Sequence, residues 1–258
     1  MRLRIVLCMV AAVSVAAAGC GRRQAHEETA GPVEGMAHLE RGYAFIQRGE
    51  YPRAMEDLVV AAQLMPDSTL PLMAIGQVSE VLGQYQQAVE CYRQALAIDP
   101  NIALANFKIG FISRAVRGDD KTALARFTRA VELDSTNATY AFQLADLYHD
   151  SERFAEAKKY FEKAIALDPD HAYAHYGLGE IFDQHMDQPE KGYSEYEKAI
   201  AIAPEDANLR LMVGKAYAER GRRTEAVRHL TEFLRLAPNS PEADSVETLI
   251  RRLERSKG

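Results

Sequence analysis

A thirteen-residue pattern recurs along this chain. Ala157–Pro169 reads AKKYFEKAIALDP, and near copies stand at Ala54–Pro66 (AMEDLVVAAQLMP), Ala88–Pro100 (AVECYRQALAIDP) and Gly192–Pro204 (GYSEYEKAIAIAP). Ala157 and Ala164 lie seven apart, so both fall on one stripe of a helix, with Phe161 between them. Asp168-Pro169 closes the helix, because proline forces the residue before it out of the α region. A motif repeated this often is a unit of architecture. In such an array each unit touches only its neighbours, so length alone sets no domain count.

Counting small residues extends the pattern. One set falls at Gly42, Gly76, Gly110, Ala145, Gly179 and Gly214, at intervals of 34 or 35. A second set, Ala54, Ala88, Ala123, Ala157, Gly192 and Ala226, opens a second helix in each unit. Large residues follow at Leu58, Tyr92, Phe127, Phe161, Tyr196 and Leu230, then Ala61, Ala95, Ala130, Ala164, Ala199 and Phe233. Small residues where two antiparallel helices cross let the backbones approach, and the large residue fills the adjoining hole. Six copies in register over about 35–240 resemble the tetratricopeptide repeat, a 34-residue helix–turn–helix unit.

The resemblance implies an all-α fold: a right-handed α–α superhelix of six hairpins, at about 35–68, 69–102, 103–137, 138–171, 172–206 and 207–240. Departures from the family pattern are specific. Its early tryptophan is replaced by His38, Leu72, Asn106, Ala141, His175 and Arg210. Its late aromatic becomes Ser79 and Ser113 in units two and three, where looser packing is expected. The extra residue of units three and five is expected in their turns, around Arg117–Asp120 and His185–Pro189. Beyond Pro241, the segment 242–255 places Val246, Leu249, Ile250 and Leu253 on one stripe, with acids early and arginines late. That is an amphipathic helix matched to its dipole, and residues 241–258 are read as a cap and tail. The acidic first turns weigh against a membrane-surface helix.

The beginning of the chain carries a different signal. Arg2 and Arg4 precede an apolar run from Ile5 to Ala18 that is short for a membrane span, so residues 1–19 read as a secretory signal. The ending Ala17-Ala18-Gly19-Cys20 resembles a bacterial lipobox, with Ala17 where that pattern prefers leucine. The resemblance implies acylation of Cys20 and, with Gly21 following, the outer membrane. Ordinary cleavage after Ala16-Ala17-Ala18, giving a soluble periplasmic protein, and an uncleaved anchor are the alternatives. Residues 20–35, polar and punctuated by Gly and Pro, are expected to form a flexible tether.

Composition narrows the chemistry. The formal net charge is −6, although residues 1–19 are basic, which argues against nucleic acid as a partner. Cys91 is the one cysteine beyond the signal region and reads as a small semi-buried hydrophobe. The sequence holds no phosphate-cradling glycine loop, nucleophile elbow or CxxC pair, and His26-Glu27 lacks a second histidine. His171 and His175 stand four apart, but with no third ligand they read as capping or solvated residues. No catalytic residue, metal or cofactor is expected.

In tetratricopeptide proteins the first helices line an inner groove that binds peptides or helices. By count, the expected groove residues are Tyr43, Phe107, Phe111, Phe142, Asp146, His149, Asp150, Tyr173, Tyr176, Glu180 and Asp183. An aromatic groove with acidic walls suits a segment with apolar anchors and a few Lys or Arg. The Lys/Asn set that clamps a carboxylate in some family members is missing. The chain resembles the outer-membrane repeat lipoproteins, which implies a protein-binding scaffold in assembly of a pilus, a secretin, outer-membrane proteins or the cell wall. A soluble subunit of a secretion or polysaccharide export complex, and remotely a cell-wall hydrolysis enzyme or accessory, are the other readings. Oligomeric state stays open.

Overall fold

The computed structural model describes residues 24–255, with side-chain surroundings from residue 31. Cys20 and the signal segment lie outside the described residues. All described regular structure is helical, and it divides into two compact units, one ending at Leu133 and the other beginning at Asp134.

The amino-terminal unit holds three hairpins: α1 (Gln24–Gln47) with α2 (Tyr51–Leu64), α3 (Thr69–Val81) with α4 (Tyr85–Ile98), and α5 (Ala103–Arg117) with α6 (Asp120–Leu133). The carboxy-terminal unit pairs α7 (Ala138–Asp150) with α8 (Phe154–Leu167), then α9 (Ala172–Glu180) with α10 (Pro189–Ile202). It ends with α11 (Ala207–Glu219), α12 (Arg223–Leu236) and the single helix α13 (Ala243–Arg255). Four first helices open on side-chain caps, with Ser68, Asn137, His171 and Asp206 each accepting from a backbone N–H of the first turn.

The crossing rule holds in detail. A Cβ on Gly42 would come 2.6 Å from Leu58, and one on Gly110 or Gly214 would come 2.8 Å from Phe127 or Leu230. The opening alanines and the large residues that follow them are all buried. Each hairpin then turns on one recurrent bond. The carbonyls of Phe45, Ser79, Tyr148 and Tyr217 accept from the backbone N–H five residues on, whereas those of Ser113 and Phe182 accept from six residues on. That difference is the extra residue of units three and five. In unit three it sits at the turn around Gly118 (φ +62°), as the sequence leads one to expect.

Unit five departs from expectation. Its extra residue is absorbed within the first helix, as a π turn over Ile181–His185 that carries on from α9. The π turn rotates the following side chains and brings Asp183 against α10. A Cβ on Gly192 would meet the Cβ of Asp183 and the carbonyl of Gly179, both at 2.7 Å. This is why glycine stands where the other units have alanine.

One further expectation is corrected. Residues 24–35 are not a coil tether but the first turns of α1, Pro32 included. Gly35 is buried against the end of α2, where a Cβ would meet Met65 Cγ at 2.7 Å, and this packing holds the helix despite the ladder bond that Pro32 forgoes. Ser79 and Ser113, which replace the late aromatic, are buried. The closing helix conforms: Val246 of α13 is buried with Leu211, Leu230 and Phe233, which explains the bulky Phe233 in place of alanine.

Candidate functional site

The early-tryptophan position is polar in most units, and the structure shows what replaces the indole. His38 Nδ1 lies 2.5 Å from Asp57, Arg126 donates to Asn106 at 2.9 Å, His175 Nδ1 lies 2.6 Å from Glu195, and Arg210 lies 3.3 Å from His229. Each pair joins a first helix to its own second helix, three residues past the opening small residue. These side chains therefore tie hairpins together and leave the opposite stripe of the first helices for other contacts.

In the amino-terminal unit that stripe is apolar and open. Met36, Tyr43, Leu70, Leu104 and Phe111 lie six residues before or one after the small residue of α1, α3 or α5, and each is 38–48% exposed. Phe107, one turn before Phe111, is half-buried with its ring 5.6 Å from Phe127 and 6.3 Å from Phe111. Farther along α3, Glu80 accepts from Tyr92 of α4 and pairs with Lys108 of α5 at 2.9 Å. Burial, and then this carboxylate, push the Tyr92 phenol well above its usual range.

In the carboxy-terminal unit the expected aromatics turn inward. Tyr176 is buried with its ring 5.5 Å from Tyr196, and Phe142 packs 5.9 Å from Phe161 and 4.5 Å from His171. Tyr173 is half-buried and donates to Asp206 at 2.8 Å; burial and this bond push its phenol up to about 12. Asp183 is 2% exposed and paired with Arg220 at 2.9 Å. Tyr176 and Asp183 are thus packing residues, not open contact residues. The sequence did carry a sign of this, since the additional residue and Gly192 fall in the same hairpin.

Asp146, His149, Asp150 and Glu180 do assemble. His149 Nε2 lies 3.7 Å from Glu180 and Nδ1 3.9 Å from Asp150. The His149 ring meets Phe154 and His185 edge-on, and those two stack at 3.5 Å. Burial raises the Glu180 carboxyl above its usual range; His149 opposes the shift, and Glu219, Asp146 and Asp150 add to it. His185 and Phe154 are the members that counting missed, because the π turn and the start of α8 deliver them. His171 caps α9 through Nδ1, and His175 is tied to Glu195, so neither faces the other as a ligand. Among the described residues no group of three His, Cys, Asp or Glu could hold a metal ion, and no helix is long and apolar enough to cross a membrane.

Tandem two-helix units of this length, with an uncovered first-helix stripe, define a repeat protein built for contact with other polypeptides. Family models described as tetratricopeptide repeat match residues 142–207 and 209–240, and one described as TPR repeat matches 82–112. The chain carries tetratricopeptide repeats. Among solved structures it is similar to pilF of Pseudomonas aeruginosa, at 20% identity and TM-score 0.70 over 85% of this chain and 99% of that one. It is likewise similar to PilW, titled a widely conserved type IV pilus biogenesis factor, at 18% identity and TM-score 0.70 over 82% and 97%. At these identities what is shared is the fold. Anaphase-promoting complex subunit 3 of Schizosaccharomyces pombe is 21% identical over 72% of this chain and 28% of its own length. The chain spans about a third of the length of the curated relatives it matches.

Proposed function

We propose that this protein is a non-catalytic scaffold of the bacterial envelope, anchored by acylated Cys20, that holds an apolar segment of another protein on the first helices of its amino-terminal unit. The observation that carries this reading is the open stripe of Met36, Tyr43, Leu70, Leu104 and Phe111. Exposed apolar side chains in register on three neighbouring helices favour a partner with apolar anchors at helical or extended spacing. The fold shared with a pilus biogenesis factor supports a place in assembly of an envelope complex.

Crosslinking and pull-down from envelope membranes test it, with Cys20→Ser as the release control. The double change Tyr43→Ala, Phe111→Ala should abolish capture while leaving the melting curve unchanged. Undiminished capture by that variant rules this surface out. Mass spectrometry of the mature N-terminus decides the anchor: acylated Cys20 supports it, and a free Gly19 start makes the protein a soluble exported one, the reading that Ala16-Ala17-Ala18 favours.

A further inference from the structure

A pocket of about 370 Å³ opens in the amino-terminal unit, away from the first-helix stripe, between α4, the start of α5 and α6. Its charged lining is Arg93 of α4 with Arg126 and Arg129 of α6; Leu96 and Pro100 give it an apolar wall, and no carboxylate lines it. Three guanidiniums on a pocket wall that carries no acid of its own are out of keeping with a chain whose formal net charge is −6.

Corresponding places in other hairpins are neutralised. Asp57 takes His38 and Arg41 at 2.5 and 3.0 Å, Glu195 takes His175 and Lys198 at 2.6 and 2.7 Å, and Glu197 takes Arg228 and His229 at 2.5 and 3.2 Å. In unit three the acceptors that line up these arginines across the hairpin are asparagine amides. Arg126 donates to Asn106 Oδ1 at 2.9 Å, and Arg129 donates to Asn101 Oδ1 at 3.0 Å. Asn106 is 1% exposed, and its amide donates to the Ile102 carbonyl at 3.1 Å, which fixes its oxygen toward Arg126. Arg126 is therefore aimed by a group that leaves its charge uncancelled. Arg129 also pairs with exposed Glu132 at 3.3 Å, but among the described residues neither Arg93 nor Arg126 has a carboxylate partner.

Like charges held together repel, and an anion bound among them relieves this. Guanidinium forks match carboxylate and phosphate oxygens. A carboxylate offers one charge and two oxygens to three arginines. A phosphate monoester offers close to two charges near neutral pH and three terminal oxygens. The volume exceeds what a phosphate ion alone would fill and lies in the range of small-ligand pockets, with Leu96 and Pro100 beside the space left for an esterified group. The geometry points to a binding site for a small phosphate monoester in the pocket between α4 and α6. Asn106, one of the departures at the early-tryptophan position, is its positioning residue.

The test is calorimetric titration of the full chain with glycerol 3-phosphate and with inorganic phosphate at constant ionic strength, chloride serving as control. Saturable binding is expected for both, tighter for the ester. Arg126→Gln and Asn106→Asp, the latter placing a carboxylate on Arg126, should each weaken it about tenfold. Because Asn106 is buried, Arg93→Gln at an exposed position is the second variant; it should weaken binding with the melting temperature unchanged. The proposal is overturned if neither probe binds beyond the chloride control, or if Arg126→Gln and Arg93→Gln bind as the parent does. Retention on phosphatidylglycerol vesicles with no response to the soluble probes overturns it as well.

Discussion

Phe111 and Glu180 each stand one residue after the small residue of a first helix, one in either unit. Phe111 is 44% exposed, beside open Leu104, whereas Glu180 is half-buried in a ring of His149, Asp146, Asp150 and Glu219. One turn earlier, Phe107 is half-buried on Phe127 while Tyr176 is buried on Tyr196. Among the described residues the carboxy-terminal unit leaves only Leu167 as an exposed large apolar side chain; the amino-terminal unit displays a run of them. The two units thus spend the same repeat differently: one holds apolar surface outward, and the other folds its aromatics into the core and keeps charge outside. A shared hairpin geometry constrains the crossing residues and leaves the rest of the first helix free to diverge.

This contrast can be broken most sharply at Tyr176. Tyr176→Ala removes a buried ring and should destabilise the carboxy-terminal unit by about 3 kcal/mol. Phe111→Ala should stay within about 0.5 kcal/mol. Hydrogen exchange resolved by helix checks both, since α9–α11 should lose protection in the first variant and α5 should keep it in the second. Equal losses would erase the distinction between core and contact aromatics.

Gly192→Ala comes next. The new Cβ meets backbone at the Gly179 carbonyl and the Asp183 nitrogen, which cannot turn aside. A loss of about 1–3 kcal/mol is expected in urea melts. Gly42→Ala should cost less, because it meets the Leu58 side chain.

The turns differ as well. Gly49, Gly83 and Gly118 supply the left-handed turn residue in all three amino-terminal hairpins, whereas Glu152 (φ +57°) and Asp187 (φ +51°) do so in two of the carboxy-terminal ones. Glu152→Gly should raise stability by about 0.5–1 kcal/mol in thermal melts.

The smallest effect is electrostatic. Because the Glu180 carboxyl is raised in the folded state, its charge opposes folding above that raised value, and the penalty lifts as pH falls through it. Glu180→Gln should therefore stabilise the chain at pH 7 by less than about 1 kcal/mol, with the gain shrinking toward pH 4.5. A gain independent of pH would assign the effect to something other than this carboxyl.

The amino-acid order by itself determined the repeat interval, the partner of every crossing residue, and the place of the closing helix. Those features depend on residues three, four or seven apart on one helix, or on one short hairpin, so a periodic pattern carries them. The tertiary structure alone decided that Tyr176 and Asp183 are buried, that α1 reaches back to Gln24, and that three arginines line one pocket with Asn106. Each of those depends on a neighbour some twenty or more residues away, or on a π turn that shifts every later side chain by one place. Spacing along the chain tells which side of a helix faces its own partner; how far the next hairpin covers the other side is set by packing in three dimensions.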